Sequence, residues 1–88
     1  MARMVTCTEM VEQAALVAAP DALFELGMLY ATGRDVAADM VVAHKWFNLA
    51  ASRGNQSALT HRIEISQEMS TEQIAEAQKL AREWLQTH

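Results

Sequence analysis

Eighty-eight residues make one small domain, and a chain of this size buries only about 60 to 65% of its unfolded surface, so its margin of stability is thin. A net charge of −4 with seven scattered Lys and Arg leaves no basic surface for phosphates, which excludes nucleic acid as a partner. Thr6, Thr8, Glu9 and Glu12 break the only N-terminal stretch that a leader or membrane span would use, and the lone Cys7 suits a reducing compartment, so a cytoplasmic protein with no membrane partner is expected.

One proline, three glycines and a predominance of Ala, Leu, Met, Glu and Gln predict an all-α chain of about five helices. The first covers residues 8–18, opened by Thr6 and Glu9 at capping-box spacing. Pro20 starts the second, where its missing N–H costs nothing, and Gly33 ends it in the left-handed conformation. The third is expected over residues 37–53, with Asp39 in its first turn at the positive end of the helix dipole and Gly54 closing it. Asn55 caps a fourth that runs to about residue 67. Ser70 and Gln73 form a second capping box, opening a final helix with Ile74, Ala77, Ala81, Trp84 and Leu85 on one stripe.

The chain repeats itself. Ala14-Ala15 and Ala22 recur as Ala50-Ala51 and Ala58, displaced by 36 positions, and Asp39, Ala43 and Trp46 are echoed by Ala77, Ala81 and Trp84 at a displacement of 38. The Leu26-Gly27 pair has no match in the last copy. We therefore expect one domain over residues 1–88, divided into a degenerate half repeat (6–19), an intact repeat (20–54) and a degenerate closing repeat that caps the C-terminal end (55–88). Gly27 and the alanines at 22, 43, 50 and 51 let helix axes approach closely, while Leu26, Tyr30 and Trp46 fill the remaining volume. Val36 pins the connection between Gly33 and Asp39 to the core. No element can bury its apolar face alone, so stability comes from stacking.

The series Ala22, Leu26-Gly27, Tyr30, Gly33, Val36, Asp39, Ala43, Trp46, Ala50-Ala51, Gly54 and Ala58 resembles the Sel-one-like repeat, a relative of the tetratricopeptide repeat. The resemblance implies a short α-solenoid of antiparallel helix pairs that binds other proteins as an adaptor. Where the family loop usually has a second glycine this sequence has Asp35, which tolerates the left-handed region better than most residues. The tail MSTEQIAEAQKLAREWL looks like the closing segment of many bacterial members. With Cys7 alone, the chain does not resemble the cysteine-paired branch.

Tetratricopeptide-like repeats bind along the groove lined by the first helix of each pair, which directs attention to Phe24 and Met28, four apart on a face distinct from Leu26 and Tyr30. Glu25 belongs to the same groove and Arg34 to its edge. Against this stands the alternative that Phe24 and Met28 pack under the N-terminal helix. Val42 stands where family members commonly carry lysine, and an exposed apolar residue there points to docking or to a homodimer, the alternative to an adaptor. His44, His61 and His88 share no metal-ligand spacing, the six methionines read as core filling, and Glu64, Glu68, Glu72 and Glu76 read as a solvated acidic face. No nucleophile with an adjacent base, carboxylate pair or phosphate-cradling loop is present, so the sequence predicts no enzyme and no cofactor.

Overall fold

A computed structural model describes residues 19–87, which contain four α-helices and, among the described residues, no strand. They are α1 (Pro20–Thr32), α2 (Met40–Ser52), α3 (Gln56–Ser66) and α4 (Thr71–Thr87). The chain is all-α, as expected. The helix expected over residues 8–18, with its capping box at Thr6 and Glu9, Cys7 and Ala14-Ala15, lies outside the described residues.

The helix ends follow local chemistry. Pro20 occupies the first turn of α1, and Gly33 ends that helix at φ 73°, with its own N–H and that of Arg34 both donating to the Leu29 carbonyl at 2.9 and 3.2 Å. Asp35 takes a left-handed φ of 66°, the conformation expected where the repeat usually has glycine. The start of α2 needs correcting. Asp39 is not inside the first turn; it is the N-cap, its carboxylate accepting from the Val41 and Val42 amides at 3.0 and 3.2 Å, and residues 37–39 are not helical. A short carboxylate satisfies two free amides better from outside the helix than from within it. The Asp39 N–H donates to the Tyr30 carbonyl at 3.0 Å and closes the loop. At the other end Arg53 is the cap residue, at φ −98°, and Gly54 follows at φ 104°. Asn55 caps α3 by accepting from Ala58 N at 2.8 Å, and its amide also donates to Asp21 Oδ1 at 3.2 Å, tying the starts of α1 and α3 together. The Ser70–Gln73 capping box is complete: Gln73 Oε1 accepts from Ser70 N at 2.9 Å and Ser70 Oγ from Gln73 N at 3.1 Å.

In packing, α2 is the hub, because it contacts α1, α3 and α4 more closely than α3 and α4 contact each other. A helix with neighbours on several sides buries more than one stripe. Ala43, His44, Trp46, Phe47, Leu49 and Ala50 are accordingly all buried on α2, and Leu23, Leu26, Gly27 and Leu29 on α1. Gly27 earns its place through Phe47: a Cβ at position 27 would lie 2.5 Å from two atoms of the Phe47 ring, so only glycine lets that ring rest on the α1 backbone. Leu23, Leu29, Phe47 and Leu49, which the repeat pattern does not single out, are fully or almost fully buried. Ala22, Tyr30, Val36 and Ala51 are half-buried rather than buried. On α4 the expected stripe holds at Ala77 and Ala81, with Ile74 and Trp84 half-buried, and Trp84 meets Trp46 edge-on, ring centroids 5.8 Å apart at 78°. Leu85 departs from it: at 46% exposure it has no core to enter.

Candidate interaction surface

Phe24 sits where three helices meet. Its half-buried ring lies 5.8 Å from that of Phe47 on α2 and 5.2 Å from that of His61 on α3, centroid to centroid, the latter edge-on at 76°. Phe47 and His61 complete the cluster at 5.4 Å. Such ring pairs contribute about 0.5 to 1.5 kcal/mol each beyond the area they bury, so the inner edge of Phe24 holds α1, α2 and α3 in register while part of it faces solvent. The His61 Nδ1 atom lies 2.8 Å from the Ser57 carbonyl one turn earlier, which fixes the imidazole plane against the two phenyl rings. Spacing along the sequence reveals neither Phe47 nor His61 as a member of this cluster, and His61 comes from the helix after the repeat that carries Phe24.

Met28, one turn along α1 from Phe24, is half-buried and packs against the core. Glu25 and Arg34 are well exposed, with Arg34 Nη2 and Glu25 Oε2 4.0 Å apart, a loose surface pair that solvent largely screens. Val42, expected to be exposed, is instead half-buried and packed against the core, because it lies on the hub helix. The five positions therefore divide: Phe24, Met28 and Val42 are half-buried apolar residues packed against the core, and Glu25 and Arg34 form a charged edge. Glu64, Glu68, Glu72 and Glu76 are all exposed.

His44 is the one buried polar side chain among the described residues. Its Nε2 lies 3.0 Å from Ser66 Oγ, and Ser66 donates its own proton to the Arg62 carbonyl at 2.7 Å. Ser66 must then accept from His44, which places the imidazole proton on Nε2 and leaves Nδ1 a bare acceptor with no partner among the described residues. Burial first, and then the nearby positive charge of Arg62, hold His44 below its ordinary value of 6.5, so it is neutral at physiological pH.

Among the described residues no group of His, Cys, Asp or Glu is arranged to hold a metal ion, and no helix is long and apolar enough to cross a membrane. Short capped helices stacked around a hub, with glycine and alanine at the crossings, define a helical-repeat protein. Residues 20–55, covering α1, its loop and α2, match the family model of the Sel1 repeat, so the chain contains a Sel1-like repeat. Sel1 repeats generally mediate protein–protein interaction and are generally not enzymes. Comparisons with curated proteins and with solved structures gave no match.

Proposed function

We propose that the chain is a non-enzymatic adaptor module of the cytoplasm that holds a peptide or a segment of another protein along α1, with residues 55–87 acting as a degenerate closing repeat of the same domain. The observation that carries this reading is the ring cluster of Phe24, Phe47 and His61: three rings from three helices, fixed by one another, with Phe24 half open to solvent. Rigid aromatic anchors lose little entropy on binding and dominate the energetics of protein interfaces. Met28 extends the apolar strip by one turn, and Glu25 with Arg34 gives it a charged border suited to orienting a partner. The homodimer alternative is not carried forward: it rested on Val42, which is half-buried against the core, and on the N-terminal helix, which lies outside the described residues.

The test is to pan a displayed random peptide library against the chain and map the enriched peptides by amide chemical shifts. We expect peptides with an apolar anchor that move the resonances of residues 24–28 and of His61, and that lose binding with Met28→Lys at unchanged helicity. Phe24→Glu is a poorer probe than Met28→Lys, since removing its ring loosens three helices at once. Enriched peptides that shift only α4, or none that bind, contradict the reading.

A further inference from the structure

The second helix pair differs from the first at the positions that close the first. Carried forward by 36, Leu26, Gly27 and Tyr30 become Arg62, Ile63 and Ser66. A glycine that admits a ring and two apolar fillers is thus replaced by a branched residue, a cation and a hydroxyl. Between α3 and α4, floored by α2, lies an open cleft of about 470 Å³, and those three residues line it. His44 and Asn48 contribute from α2, and Ile74 and Gln78 from α4.

The chemistry of this lining is specific. Arg62 is half-buried, and its Nη1 donates to Asn48 Oδ1 at 2.8 Å, which holds the guanidinium in place while its other N–H groups make no hydrogen bond to any described residue. No Asp or Glu lines the cleft, and Arg62 has no ion pair among the described residues, in a chain whose net charge is −4. The side-chain amide of Gln78 makes no hydrogen bond to any described residue either, and the Asn48 amide N–H groups remain free beside Arg62. Ile63, 51% exposed, and Ile74 supply apolar walls.

We propose that this cleft is a binding site for a carboxylate carried beside a small apolar group, with Arg62 as its ionic partner and Asn48 and Gln78 as amide donors. A planar, pre-positioned guanidinium matches the two oxygens of a carboxylate, whereas a phosphate dianion would call for more positive charge than one arginine provides. The apolar walls take the substituent next to it. A chain-terminal residue such as leucine and a free branched organic acid share this chemistry. The site has no residue in common with the Phe24 and Met28 surface and does not depend on it.

The test is a titration of the intact protein with N-acetyl-leucine, followed by the side-chain N–H resonances of Arg62, Asn48 and Gln78, with N-acetyl-leucinamide as the matched neutral ligand at equal ionic strength. Saturable shifts with the acid and none with the amide are expected. Arg62→Gln should weaken binding by about tenfold or more, the usual consequence of losing a charged hydrogen-bond partner, while Arg53→Gln, an exposed arginine outside the cleft, leaves it unchanged. A peptide ending in a free leucine that binds more tightly than N-acetyl-leucine identifies a chain terminus as the source; weaker binding identifies a small acid. Equal shifts with acid and amide in the unaltered protein overturn the proposal whether or not Arg62→Gln folds, as do shifts that never saturate or affinity unchanged in a folded Arg62→Gln.

Discussion

In the α1–α2 pair the ring of Phe47 rests on Gly27, while in the α3–α4 pair the residues displaced from that contact by 36 and 38 positions, Ile63 and Leu85, are each about half exposed to solvent. The two pairs share an alanine spacing, Ala22 with Ala58 and Ala43 with Ala81, while their helices start on different residues, Ala19 and Asp39 in the first and Asn55 and Ser70 in the second. They part at one crossing. A glycine there allows one helix to lie against the ring of the next; at the corresponding place in the second pair the side chains of Ile63 and Leu85 reach solvent, and each helix packs on α2 in preference to the other. Helices whose ends are set locally can therefore form alike while the packing between them differs. The space left between the helices is then lined by polar residues, because Arg62 and Ser66 stand where Leu26 and Tyr30 fill volume in the first pair.

Substitutions at paired positions sharpen this contrast. Phe47→Ala should cost about 3 to 5 kcal/mol in chemical denaturation, a large part of the stability of a domain this size, since Phe47 is fully buried between α1 and α3. Leu85→Ala, its counterpart, should stay within about 0.5 kcal/mol of the parent, as exposed substitutions do. Gly27→Ala should cost about 1 to 3 kcal/mol by forcing the Phe47 ring away, with Ile63→Ala near zero at the equivalent place. Equal losses within either couple would mean that the second pair is as tightly closed as the first.

The caps supply the control. Asp39→Ala and Ser70→Ala should each cost about 1 kcal/mol, within the range measured for lost N-caps, because both side chains bond free amides at a helix start. Similar costs would place the difference between the pairs in packing and not in the helices themselves. The smallest expected effect is on pH dependence. His44 is held below its ordinary value of 6.5 in the folded chain, so on acidification the unfolded chain takes up the proton first. Its contribution is fully present above that value and is lost as pH falls from 6.5 toward the depressed folded value. A urea series at several pH values should show stability declining over that window, and His44→Gln should flatten that part of the slope.

Helix ends and crossings were legible in the residues because they depend on neighbours in sequence. Asn55, the Ser70–Gln73 pair, Pro20, Gly33 and the left-handed Asp35 each act within a few positions. The sequence puts Asp39 at the right helix start but three residues too far inside it, since its two amide partners become visible only when the preceding backbone is seen to leave the helix. What periodicity misses is the hub. A single stripe on α2 explains Ala43, Trp46 and Ala50, but His44 and Leu49 are buried as well, and Val42 partly so, because three other helices surround α2. Leu85 fails in the opposite sense: its spacing suits a stripe, and there is no neighbour on that side to receive it. The Phe24–His61 contact and the Arg62–Asn48 bond join elements whose relative placement no local spacing encodes.

Native-state hydrogen exchange, resolved amide by amide, bears most directly on the claim that the second pair is open where the first is closed. The account predicts that the central amides of α1 and α2 exchange only through global unfolding, while those of α4 exchange through a partial opening of distinctly lower free energy. Protection in the middle of α4 equal to that in the middle of α2 would contradict it.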